Sequence, residues 1–100
     1  MSFSNIQSVS KSADASAIVG RTRVVGVYYT CSNTAASFSL KDGTSTAGTA
    51  KLTLTTPAAA GGYDLIIPDM GILFETGVFI DVSSVEVTSV TLLFEGGAAA

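Results

Sequence analysis

The run Val24-Val25-Gly26-Val27-Tyr28-Tyr29-Thr30 constrains the fold more than any other segment of this chain. Its residues are mostly β-branched or aromatic, the types that suit a pleated, half-buried surface. Both faces of the run are apolar, which marks a central strand covered on each side. A second sheet can supply one cover, and a partner subunit the other. Gly26, in the middle, signals a bulge or a close approach of backbone.

The segments that follow carry the same β signal in shorter form. Ser37-Phe38-Ser39-Leu40-Lys41 alternates polar and apolar, which puts Phe38 and Leu40 inside. Asp42-Gly43 is a turn dipeptide, because glycine accepts positive φ without steric cost. Leu52 and Leu54 point inward from the next alternating stretch, which the pattern pairs with its predecessor as a hairpin. Pro57 ends that stretch, since it has no N–H for a ladder. Tyr63, Leu65 and Ile67 then share one face, with Ile66 opposite. After a turn at 68–71, Ile72-Leu73-Phe74 resumes the extended chain. Val78, Ile80 and Val82 line the core while Asp81 faces out. In the last segment Val85 and Val87 share one face, but Val90, Leu92 and Phe94 share the other. That slip at Thr88-Ser89 requires a β-bulge or a strand crossing between sheets.

Seven to eight short strands, turn signals roughly every 8–12 residues and no helical period predict an all-β fold. The expected class is an antiparallel β-sandwich of jelly-roll or Greek-key type. The expected organisation is an N-terminal arm over 1–20, a β-sandwich domain over 21–97 and a short tail over 98–100. In the arm, Phe3, Ile6 and Val9 recur every third residue, a spacing that suits neither a clean strand nor a helix. Such an arm either packs on its own domain or reaches a neighbouring subunit. Phe3, Ile6, Val9 and Tyr28 are therefore the candidate interface residues.

Composition narrows the chemistry. There is no histidine, so the commonest general acid–base is missing and no Ser-His-Asp set can be built. Cys31 has no imidazole to activate it and reads as a small buried hydrophobe. Zinc would lack most of its usual ligands. Asp64, Asp69, Glu75 and Asp81 fall within 18 residues of one another. Calcium binding or glycoside hydrolysis could use such acids, but solvated turn positions explain them more simply. Tyr28, Tyr29 and Tyr63 read as packing residues rather than a sugar platform, since adjacent tyrosines of a strand point oppositely. No catalytic residue, cofactor or metal is assigned, and the chain is not expected to be an enzyme. A net charge of −3 argues against a nucleic-acid partner. No apolar stretch approaches the roughly 20 residues of a membrane helix, and no export signal is visible. A lone cysteine fits synthesis in a reducing cytosol. Only 13% of residues are charged, against about 25% in ordinary domains, and 13 Ser and 12 Thr supply much of the polarity. Such a surface suits a component of a larger assembly.

Several stretches resemble the small β-sandwich virion structural proteins of tailed bacteriophages, especially marine ones. They are Val25-Gly26-Val27-Tyr28-Tyr29-Thr30, the Lys41-Asp42-Gly43-Thr44 turn with Gly48, and Leu52-Thr53-Leu54-Thr55-Thr56-Pro57-Ala58. The more distinctive is Ile66-Ile67-Pro68-Asp69-Met70-Gly71-Ile72-Leu73-Phe74-Glu75-Thr76-Gly77-Val78, followed by Val87-Thr88-Ser89-Val90-Thr91-Leu92. The resemblance covers about two-thirds of the chain and excludes the arm. It implies a non-enzymatic head decoration, or cement, protein on the outer capsid surface. Its partners would be the major capsid protein and copies of itself, in a homo-oligomer that could be a trimer. It would reside in the virion after assembly in the host cytoplasm. Relatives of this kind also occur in tails or on fibres, and a lectin-like glycan-binding module on the virion is a further alternative. The resemblance carries no catalytic residue to this chain.

Overall fold

A computed structural model describes residues 6–82 and 84–100, and every regular element within them is a β-strand. In chain order these are β1 (Gln7–Lys11), β2 (Ala15–Cys31), β3 (Ser37–Asp42), β4 (Thr49–Thr55), β5 (Gly61–Ile66), β6 (Ile72–Phe74), β7 (Gly77–Asp81) and β8 (Val87–Ala99). All pairings are antiparallel and join the strands into one sheet in the order β1-β8-β2-β7-β3-β4. β5 and β6 also pair with β2.

β2 organises the molecule. One of its edges pairs with β8 from Ile18 to Cys31, while its other edge takes β7, β6 and β5 in turn. A 17-residue strand can serve so many partners because its ladder is broken by bulges, each of which bends the strand. Register shifts against β8 fall between Val19 and Thr22, Val24 and Gly26, and Thr30 and Cys31. The second accounts for Gly26, which lies between Leu93 and Ile66. A Cβ there would meet Leu93 Cδ1 at 3.1 Å. The third is the slip expected at Thr88-Ser89: Thr30 pairs with Ser89 and Cys31 with Val87, leaving Thr88 unmatched.

The ends of the chain differ from expectation. The boundary placed after residue 20 falls inside β2, where Ala17 and Ile18 are fully buried. Residues 7–11 form an edge strand on β8, with Gln7 opposite Phe94 and Lys11 opposite Val90. The expected tail is also sheet: Ala98 and Ala99 pair with Val19 and Ile18, and the Ala100 N–H donates to the Ala17 carbonyl at 2.9 Å. Small residues explain why. Ala17 fits a tight core position, and Gly97, at φ 65°, passes so close to Ile18 that a Cβ would lie 2.8 Å from its Cγ2. The strands are also not uniformly short, since β8 spans 13 residues.

One hydrophobic cluster draws on β2, β3, β6, β7 and β8. Alternation holds where it was read: Phe38, Leu40, Val78, Ile80, Val90, Leu92 and Phe94 are buried, with Leu52, Leu54 and Val82 packed against them. Tyr29 of β2 meets Phe38 of β3 edge to face, 5.3 Å between ring centres, although these strands share no ladder. Burial raises the Tyr29 phenol above 10, and neighbouring Cys31 and Tyr63 push the same way. The two buried threonines find backbone partners, while the buried Ser16 hydroxyl has none. Thr22 donates to the Glu95 carbonyl at 2.8 Å, and Thr56 receives the Ala36 N–H at 2.9 Å. Cys31 is buried, its thiol 3.5 Å from the Ala59 carbonyl.

Asp42 pins two turns together. Its carboxylate accepts the Glu75 N–H at 3.0 Å and the Thr76 N–H at 2.9 Å, and the Gly43 N–H donates to the Gly77 carbonyl at 3.1 Å. The Thr76 amide does most to hold the Asp42 carboxyl below its ordinary 3.8. Partial burial opposes it, while the Glu75 and Gly77 amides and the Lys51 charge add to it.

Candidate interaction face

The outward face of β5, β2, β8 and β1 follows from the buried one by parity. Val24, Val27 and Tyr29 point into the core, so Arg23 and Tyr28 point out. Three cross-strand rows result. Leu73, Arg23 and Glu95 form the first; Ile66, Gly26, Leu93 and Ser8 the second; Asp64, Tyr28, Thr91 and Ser10 the third. Hydroxyls knit the strands: Ser10 bonds Thr91 at 2.6 Å, and Thr30 bonds Thr88 at 2.5 Å and Ser89 at 2.6 Å. These contacts satisfy polar groups without charge, beside the charged Arg23, Glu95 and Asp64 of the same face.

Large apolar side chains stand out from it. Ile66 is 66% exposed and Tyr28 46%. The Tyr28 ring lies across Gly62, where a Cβ would sit 2.7 Å from its Cζ, so only glycine lets the ring lie down. Leu65, on the other side of β5, is also exposed.

The four candidate interface residues do not come together. Phe3 lies outside the described residues. Ile6 is half exposed and precedes β1 on the parity of Ser8 and Ser10, the same outward face as Tyr28. Val9 has the opposite parity and packs against the core. Val24, at the start of the doubly apolar run, is fully buried, because the bulge at Val25-Gly26 turns it inward against Phe94. Ile66 is the residue the candidate set missed. Its signal was present in its position opposite Tyr63, Leu65 and Ile67.

Two open depressions of about 390 Å³ lie among the described residues. Arg21, Arg23, Met70, Leu73 and Glu95 border one, and Ser12, Ser84, Val85 and Thr88 the other. Thr22 also borders the first, but its hydroxyl donates to the Glu95 and Gly96 backbone carbonyls. The four clustered acids of the sequence scatter: Asp64 faces out from β5, Asp69 occupies a turn at φ 57°, Glu75 lies in the turn pinned by Asp42, and Asp81 pairs with Lys41 at 2.7 Å. Among the described residues no three cysteine or acidic side chains converge as a metal site would need. The chemistry this geometry offers is adhesive: apolar contact, hydroxyl hydrogen bonds and one aromatic ring. No protein-family model, curated protein or solved structure matches this chain.

Proposed function

We propose that this chain is a non-enzymatic structural protein of a bacteriophage virion, a decoration protein that binds the outer surface of the head. The observation that carries the reading is the outward face on which Ile66 and Tyr28 project among hydroxyl groups. A hydroxylated sheet face with a few apolar anchors suits contact with a protein shell. The resemblance at residues 66–78 supplies the phage setting. The partners are the major capsid protein and further copies of the chain, and many weak contacts repeated over a shell would stabilise it. Within this reading the sheet folds over into a two-layered sandwich of jelly-roll type. The Tyr29–Phe38 contact and a smallest dimension of 20 Å support it, since two stacked sheets lie about 10 Å apart. Mass spectrometry of purified virions tests the role. The chain is expected in intact particles, with a copy number in the hundreds if it coats the head and far fewer if it belongs to tail or fibre. Its absence from intact particles would overturn the proposal.

A glycan-binding role on the virion has one observation in its favour: exposed Tyr28 lies directly opposite Asp64 in the β2–β5 register. An aromatic face beside a carboxylate can stack and hydrogen-bond a sugar. Binding to a glycan array that disappears in Tyr28→Ala would favour it, and a blank array would remove it.

A further inference from the structure

We propose that β5 is an open docking edge that pairs with β5 of a second copy, giving a two-fold dimer whose sheet runs on from one subunit to the next. The argument begins with the backbone. The Ile67 N–H donates to the Val25 carbonyl at 2.9 Å, so Ile67, Leu65 and Tyr63 turn their backbone groups toward β2. Gly62, Asp64 and Ile66 must turn theirs the other way. Among the described residues no strand pairs with that side of β5. Three N–H and three C=O groups thus line an accessible edge.

Proteins usually guard such edges with lysine, proline or a bulge. β4 carries an exposed Lys51, and β1 ends in Lys11, whose ammonium bonds the Ala100 carbonyl at 3.2 Å. Within β5 there is no cation and no proline, and no register shift breaks its ladder with β2. It instead exposes Leu65 on one side and Ile66 on the other. An edge that offers backbone hydrogen bonds and apolar side chains together is built for strand addition.

Charge selects the register and with it the occupant. Centring two copies on Asp64 would put like carboxylates directly opposite, which is destabilising. Centring them on Leu65 sets each Asp64 against Ile66 of the other copy, in a pair that exchanges both backbone hydrogen bonds. The two Leu65 side chains then meet on the axis at the closer, non-hydrogen-bonded spacing, and Tyr63 faces Ile67. The two Leu65 side chains cover each other while Ile66 keeps its outward face open, and the edge is complementary to itself, as a two-fold interface requires. Pro68 ends the ladder, since it offers no N–H. Pairing over five residues spans about 17 Å of strand, a small contact of the kind that gives a weak, concentration-dependent dimer.

The proposal rests on the virion reading for its setting alone. Its test uses the isolated chain, so failure to find the protein in virions and failure to dimerise are separate results. Sedimentation equilibrium of the full chain should show a monomer–dimer equilibrium. Leu65→Lys places two ammonium groups on the axis and should weaken the dimer at least about tenfold, with an unchanged far-ultraviolet circular dichroism spectrum. Should Leu65→Lys fail to fold, Ile66→Asp, at a site already open to solvent, sets a second carboxylate against Asp64 of the other copy and should weaken the dimer in the same way. A wild-type chain that stays monomeric up to about 0.5 mM, a trimer, or a dimer untouched by a folded variant would overturn the proposal.

Discussion

Asp42 shows how one side chain can fix the relation between distant parts of this chain. It caps amides 33 and 34 residues away, tying the β3–β4 turn to the β6–β7 turn. Asp42→Ala leaves two amides without their acceptor and should cost about 1–3 kcal/mol, the lower end applying because the site is partly solvated. Asp42→Asn keeps one acceptor and should cost less. Chemical denaturation read by circular dichroism would measure both. The native carboxyl titrates below 3.8 and the unfolded one near it, so the stabilisation is complete at higher pH and is lost as pH falls through the depressed native value. The acid limb of the stability curve should therefore flatten in Asp42→Asn. A curve that keeps its wild-type acid slope would mean that another carboxylate governs it. The sequence showed Asp42 only as half of a turn dipeptide. Its long-range partners are backbone amides, which leave no trace in residue identity.

At the scale of the element, legibility followed side-chain parity. The phase slip between Val87 and Val90 located the Thr88 bulge, because a buried face fixes where each apolar residue must point. Phe38 and Leu40 were legible for the same reason. Ala15 to Gly20 was not, since small residues between polar ones carry no visible period. Yet Ala17 and Ile18 are core and continue β2 without a break. The candidate face was half legible: Tyr28 is exposed as read, whereas Val9 packs inward and Ile66 takes the place expected of the arm. Deleting residues 1–20 therefore removes core rather than an appendage. Losing Ile18 alone is worth about 2–5 kcal/mol, and the deletion also strips the partners of Gly77, Val78 and Ala98. The truncated chain should be unfolded or aggregated, with no cooperative thermal transition. A folded truncation would show that β2 can begin at Arg21.

For the whole molecule, the governing fact is that nearly every pairing spans a long stretch of sequence. β1 pairs with β8 and β2 reaches to Ala99, so the sheet cannot close until both regions of the chain are present. Non-local topologies of this kind fold on the millisecond-to-second scale, and stopped-flow refolding should find this chain there rather than among microsecond folders. A microsecond phase carrying the full amplitude would contradict it.

Because β2 is held along both edges, its backbone serves as an internal clock for amide hydrogen exchange. The Val24, Val27 and Tyr29 amides should exchange only through global opening, while those of Gly62, Asp64 and Ile66, on the strand directly alongside, should exchange as fast as solvent allows. The contrast between neighbouring strands would be a map of where the sheet is closed and where it is still waiting for a neighbour. Slow exchange at Gly62, Asp64 and Ile66 in concentrated solution would record the moment that neighbour arrives.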